Sequence, residues 1–408
     1  MNRALQVGMM ITSLLCAACA RVPDAPAAMG DSRYLYLWTA AADTTQPDFL
    51  AVLDVRPGAA TYGTLVTTVA VPGRRNGPHH TEHEMPADRR LFANGFRSGQ
   101  SFVFDATDAA APRLDGTFGE LAGMMHPHSF LRLPNGNVLA TFQMSHDSTG
   151  TRPGGLAELT PTGTIVRAAS ADVPAVDARI RPYSGAVVPS LDRIVTTTTD
   201  MMSNAPARTV QVWRLSDLKL LHSFDLPDGP RGTEGTLSAE PRLLSDGRTV
   251  LVSTFSCGLF LIDSLTGEKP SARLVSSFPT RKDADCAIPV VTGNHYLVTV
   301  PAWNAVVSLD ISDPAHPREV SRVVLDSADI PHWIALEPNG KRVVITGYGA
   351  LEQRVMIATF DAKSGQLALD QRFRAPGADK AGFVMAARPW PHGGTGAGVP
   401  HGAVFSRP

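Results

Sequence analysis

This chain has almost no excess charge of either sign. Lys plus Arg number 37 against 38 Asp plus Glu, a formal net charge of -1 over 408 residues. With no basic surplus to neutralise phosphates, the balance argues against a nucleic-acid partner. Cysteine is scarce. Of the 4 present, Cys16 and Cys19 lie near the N-terminus, which leaves only Cys257 and Cys286 for the body of the chain. Two cysteines do not make a disulfide scaffold, and whether they pair or stay as separate buried thiols is open, with a buried thiol favoured for Cys257. No long apolar run occurs beyond the first twenty residues, which excludes a later membrane-spanning helix. No Gly-rich phosphate loop follows a strand, and no Gly-x-Ser-x-Gly elbow is present. The segment Gly393-Gly394-Thr395-Gly396 follows Pro391-His392 and reads as a loop. What is abundant is turn-forming residues. Gly 35 and Pro 32, with 43% hydrophobic residues, suit a globular protein with many strands and turns.

The N-terminus reads as an export signal. One basic residue, Arg3, precedes an apolar stretch from Leu5 that ends in the small residues Cys16-Ala17-Ala18-Cys19. It is too short and too weakly flanked to span a membrane. The expected division is a signal peptide over 1–19, a Pro/Ala-rich tether over 20–32 and one domain over 33–408. Leu15–Cys19 also resembles a loose lipoprotein cleavage box with Cys19 as the lipidated residue; the alternative is ordinary cleavage among the alanines of 17–28. Either way the expectation is an exported, periplasmic protein; a membrane contact follows only from the first alternative, through a lipid on Cys19.

The body of the chain repeats. Pro127-His128-Ser129-Phe130-Leu131-Arg132-Leu133-Pro134-Asn135-Gly136 is echoed by Pro331-His332-Trp333-Ile334-Ala335-Leu336-Glu337-Pro338-Asn339-Gly340, each followed by an apolar strand. Asn-Gly between apolar runs is the strongest short hairpin signal. Weaker copies begin near His80, Tyr183, Ala239 and Cys286, a spacing of roughly 50 residues, which suits four-stranded propeller blades. Six such units cover about 79–374. The strands of 33–72 and the tail Gly402-Ala403-Val404-Phe405 supply the last blade. The predicted fold is all-β, a seven-bladed β-propeller closed by N- and C-terminal strands.

In a propeller the first strand of each blade lines the central channel, so residues at matching repeat positions converge. That position holds His80, His128, Tyr183, Ala239 or Glu240, Cys286 and His332; neighbours add His79, His83, His126 and Glu234, and the closing segment adds His392 and His401. Eight of the 12 histidines thus fall in one set. Imidazole suits copper, zinc, iron and nickel. His80, His128 and His332 are the leading candidate metal ligands, followed by His83, His126 and His401, then His79 and His392. His126 and His128, two apart, would point the same way on a regular strand. Glu234, Glu240 and Tyr183 are candidates for supporting contacts, and Cys286 for a redox or ligand thiol. His146, His222, His295 and His316 read as surface or turn residues. No catalytic residue is assigned.

These residues, with Pro47-Asp48-Phe49-Leu50-Ala51-Val52-Leu53-Asp54-Val55, the His-His near 80, the His-x-His at 126–128, Leu309-Asp310-Ile311-Ser312-Asp313-Pro314 and the His/Gly-rich tail, resemble the selenium-binding protein family, whose best-understood members are methanethiol oxidases. The likeness spreads over most of 33–408. It implies a seven-bladed propeller, copper held by histidines, selenium as a further ligand of the family, and oxidation of a small thiol by O2 to formaldehyde, sulfide and peroxide. The family's cysteine-rich stretch after its His-His pair is replaced here by Glu82-His83-Glu84-Met85, and its Trp-x-His by Trp303-Asn304, as in a divergent branch. Two other readings stand beside the oxidase. One is a non-enzymatic metal- or selenium-binding or interaction propeller. The other is a lyase or lactonase with a hard-metal site, which the excess of imidazole over carboxylate disfavours.

Overall fold

The computed structural model describes residues 29–408, apart from 148–149, 173–179, 204, 283 and 348–353. The expected export signal, Cys19 and most of the tether lie outside the described residues. Among those described, seven four-stranded antiparallel sheets follow one another around a ring, the sixth with a short extra strand, and two 3-10 turns are the only helical elements. The seven-bladed propeller is as expected.

The innermost strands, in blade order, are Pro78–Thr81, Met124–Arg132, Pro182–Val188, Ser238–Leu243, Val290–Thr292, Pro331–Leu336 and, closing the ring, Gly398–Phe405. The closing blade takes its other three strands from the start of the described chain: Tyr34–Ala41, Phe49–Asp54 and Leu65–Ala70. This pairing removes the open sheet edge that an unclosed ring would expose. The closing strand starts earlier than the tail read from sequence, because Gly398–Pro400 also pairs with Thr39–Ala41.

Burial follows strand position. Middle strands such as Phe49–Asp54 and His295–Val300 are buried at every residue, because both faces pack against neighbouring blades. They therefore read as continuous apolar runs. Outermost strands such as Arg113–Phe118 alternate exposed and half-buried residues, the period of a strand with one wet face. Hairpin glycines Gly136 and Gly340 take φ of 85° and 75°, which the Asn-Gly signal anticipates.

Ring closure carries a buried ion pair. Arg342, in the sixth blade, meets Glu337 at 2.5 and 2.8 Å. It also donates to the Val55 and Ser32 carbonyls, and Glu337 accepts the Ser32 N–H. Sixth and seventh blades are thus joined by charge-assisted bonds as well as by packing.

Candidate metal centre

The channel residues owe their position to a recurring irregularity. In six of the seven blades the innermost strand shifts register at the position picked out by the repeat. The shifts fall between Pro78 and Thr81, Pro127 and Phe130, Pro182 and Gly185, Ser238 and Pro241, and Pro331 and Trp333. In the closing strand the shift falls between Pro400 and Ala403. The residues inside these bulges are His79-His80, His128-Ser129, Tyr183-Ser184, Ala239-Glu240, His332 and His401-Gly402. A bulge frees a stretch of strand from its ladder and re-aims the side chains.

It also leaves backbone groups unpaired, and buried ones need partners. A polar residue on the second strand of the blade supplies them. Thr141 accepts the Ser129 N–H at 3.0 Å and donates to the Tyr183 carbonyl of the next blade at 2.8 Å. Thr197 repeats this between Ser184 and Ala239, and Thr299 between Ala287 and His332. Asn94 does the same with its amide, between the His80 N–H and the Pro127 carbonyl. Thr346 donates to the His401 carbonyl. These latches, which the histidine pattern alone does not reveal, had a signal in the sequence: a Thr recurs about twelve residues after the bulge.

Imidazoles from four blades meet on the axis. The rings of His79 and His80 stack at 4.3 Å; His128 lies 4.4 Å from His80 and 5.0 Å from His79. His401 packs on His79 at 4.3 Å and on His332 at 4.8 Å. One nitrogen from each of His79, His80 and His128 falls within 4.8 Å of the others. Hydrogen bonds fix two tautomers. His128 Nδ1 lies 2.9 Å from the Tyr183 carbonyl and His401 Nδ1 2.7 Å from the His79 carbonyl. A carbonyl only accepts, so each Nδ1 carries the proton and each Nε2 keeps a lone pair. His128 Nε2 and His79 Nδ1 are buried without a hydrogen-bond partner.

Burial, reinforced by the crowding of like groups, pushes His79 and His80 well below the usual imidazole range. His401 is lowered in the same way. Burial, opposed by the bond to the Tyr183 carbonyl, takes His128 down to about 3, and burial takes His332 to about 4. At neutral pH the cluster is therefore uncharged, which is the ligating form of imidazole. Uncharged nitrogens converging in a dry site, two of them lacking any other partner, fit a borderline or soft transition ion such as copper or zinc.

The other predicted residues fall elsewhere. His83 stacks on Trp333 at 4.6 Å and accepts a bond from Arg242 at 3.0 Å, one layer along the channel from His80. His126 does not share the direction of His128. Its φ is 54°, the strand bulges after Pro127, and its Nδ1 donates to the Phe96 carbonyl instead. His392 bonds Thr68 at 2.7 Å and packs on Phe49, away from the axis. Glu234 caps its own turn by accepting the Arg231 N–H. Glu240 is wholly buried and holds Ser184 and Arg242. Tyr183 reaches His80, its Oη 3.1 Å from Nε2. Cys286 is not a thiol: it is disulfide-bonded to Cys257, which sits in the turn after Val250–Thr254. His295 is no surface residue either, but is buried against Phe360.

Two cavities lie along the channel, and the smaller touches the cluster while the larger stops at His83. One, of about 230 Å³, opens at the N-terminal ends of the inner strands. His79 and His332 line it together with the apolar Met201, Leu237, Phe255 and Ile330 and the polar Thr199 and Asp285. The other, of about 670 Å³ at the opposite end, is bounded by His83, Arg242, Met85 and Leu131 among others.

No family model matches the chain. Methanethiol oxidase from Ruegeria pomeroyi is 32% identical over 157 residues, 36% of this chain and 35% of that protein. Methanethiol oxidase from Hyphomicrobium sp. is 32% identical over 143 residues, 34% of this chain and 32% of that protein. Over these stretches the chain is similar to the methanethiol oxidases, which supports a link to the selenium-binding protein and methanethiol oxidase family. It spans about a third of the length of the curated relatives it matches. Over the whole ring, a hypothetical selenium-binding protein from Sulfolobus tokodaii superposes with TM-score 0.73 at 17% identity, covering 92% of this chain and 94% of that one. That likeness is one of fold. Among the described residues both cysteines are in the Cys257–Cys286 disulfide.

Proposed function

We propose that this protein is an exported, copper-dependent oxidase of a small thiol of the methanethiol type, with O2 as the electron acceptor. The observation that carries the reading is the meeting of His79, His80 and His128, buried and uncharged, on the propeller axis. Partial identity to two methanethiol oxidases supports the choice of reaction. The ion would be held by His79, His80 and His128, with His401 and His332 beside them. Copper, when bound, supplies a soft, redox-active Lewis acid suited to sulfur.

The chain's own residues do the rest. The latched bulges hold the imidazoles in place, and the Tyr183 and His79 carbonyls fix which nitrogen of His128 and His401 faces inward. Trp333, wholly buried against His80 and His83, blocks the channel below the cluster and keeps water from that side. The 230 Å³ cavity admits a molecule of few heavy atoms, and its side chains Met201, Leu237, Phe255 and Ile330, beside the polar Thr199 and Asp285, offer an apolar face to a short alkyl thiol. The Cys257–Cys286 disulfide supports an oxidising, extracytoplasmic compartment, in line with the N-terminal signal.

The test is O2 uptake by the copper-loaded protein on adding methanethiol, with formaldehyde, sulfide and peroxide as products. Equal uptake by a His80→Ala/His128→Ala variant, or none by the loaded wild type, would reject the reading and leave a binding propeller.

A further inference from the structure

Tyr183 occupies in the third blade the bulge position, directly after the proline, that His79 and His128 occupy in the first and second. It is wholly buried, and its ring lies 4.1 Å from that of His128. Its backbone carbonyl orients His128, while its phenol Oη stands 3.1 Å from His80 Nε2. Two ligands bound at about 2.0 Å to one ion, at right or tetrahedral angles, lie about 2.8 to 3.3 Å apart. The Tyr183–His80 pair already has that spacing, whereas the nitrogens of His79, His80 and His128 spread over as much as 4.8 Å. The phenol is thus a non-imidazole donor already at coordination distance from His80 Nε2; Ser129 Oγ, 3.2 Å from His80 Nδ1 and from His128 Nδ1, faces the other edge of both rings.

We propose that Tyr183 is itself a metal ligand, its phenolate oxygen joining His80 and His128 on the copper ion. The proposal rests on the copper reading above. On ligation the phenol O–H bond breaks heterolytically, the oxygen keeps the electron pair and binds the ion, and the proton passes to solvent buffer. No oxidation state changes. Without a cation, burial keeps the phenol protonated, its pKa well above the usual tyrosine value; a bound divalent ion reverses that local preference. The competing role for this hydroxyl is a hydrogen bond to His80 and nothing more.

Tyr183→Phe separates the two, because it removes only the oxygen and keeps the ring and the carbonyl that orients His128. The purified protein, stripped with chelator, would be titrated with Cu(II) and followed by visible absorption, electron paramagnetic resonance and resonance Raman. The expected result is a tyrosinate-to-Cu(II) charge-transfer band with enhanced phenolate vibrations in the wild type. Both should be lost in Tyr183→Phe, with Cu(II) affinity at least about tenfold weaker. Copper bound with nitrogen hyperfine structure, but without phenolate bands in the wild type, overturns the tyrosine ligand and leaves the copper reading standing. That outcome is decisive whether or not the variant folds. A band unchanged in folded Tyr183→Phe overturns it equally. No Cu(II) bound by the wild type overturns both.

Discussion

Replacing Arg342 by Met should strip the charge partner from a carboxylate that has no route to water. Glu337 is fully buried, and Arg342 is 6% exposed with two bonds to that carboxylate. After the substitution Glu337 keeps only the Ser32 N–H, and the Val55 carbonyl, with the more distant Ser32 carbonyl, loses its donor. An uncompensated buried charge of this kind costs about 3 to 5 kcal/mol. The lost carbonyl bond adds about 1 kcal/mol. Glu337→Gln in the same background removes the charge and keeps an acceptor for Ser32. The double variant should therefore recover at least about 2 kcal/mol over Arg342→Met alone, a coupling expected only of groups in direct contact. Urea unfolding followed by tryptophan fluorescence reads all three variants. A loss below about 1 kcal/mol for Arg342→Met, or a double variant worse than the single, would refute the view that this pair welds the closing blade to its neighbour. Because His401 rides on the closing strand, a weakened weld should also loosen the imidazole cluster.

Three further outcomes are expected. Reducing the Cys257–Cys286 bond, or the double Ser variant, opens a loop with a sequence separation of 29. The urea midpoint should then fall by the equivalent of about 3 kcal/mol, and an unchanged midpoint would show the bond to be idle. The metal-free protein should lose stability in mild acid. The folded-state pKa of His128 is depressed to about 3, so the unfolded state binds the extra proton. The contribution is whole above about pH 6.5 and falls as pH drops toward the folded value, by about 2 kcal/mol at pH 5 from His128 alone. Urea midpoints at pH 7 and 5, beside His128→Gln, check this; equal slopes in both proteins would contradict it. Thr141→Val removes the latch between Ser129 and Tyr183 and should cost about 1 to 3 kcal/mol, read by thermal unfolding, with weaker Cu(II) binding because the Tyr183 carbonyl that orients His128 is no longer pinned.

Much of the fold is legible in the sequence because a propeller repeats. The Pro-His and Asn-Gly phrases near 128 and 332 mark the same two points of a blade, the channel bulge and the first hairpin. Two glimpses of that phrase locate the fainter copies. The site is legible for the same reason: repeat position becomes channel position, so His128 and His332 can be grouped without a structure, although their counterpart in the first blade is His79 and not the His80 that the spacing suggests. The rest fails where a bulge intervenes. His126 and His128 look like same-face neighbours only on a regular strand, and a left-handed residue beside a bulge breaks that parity. His392 carries the same His-Gly phrase as His401, yet lies in the loop before the closing strand. Cys257 and Cys286 belong to a turn and to an inter-blade connection, and no local pattern announces that these come together. Tyr183 occupies a histidine's place in the repeat, but only its distance to His80 gives the phenol a role.

Metal content of the purified wild-type protein, measured by mass spectrometry beside a folded His80→Ala/His128→Ala variant, tests the central claim most directly. The account predicts about one copper per chain in the wild type and almost none in the variant. Folded wild type that carries no transition metal, even after copper loading, would contradict it.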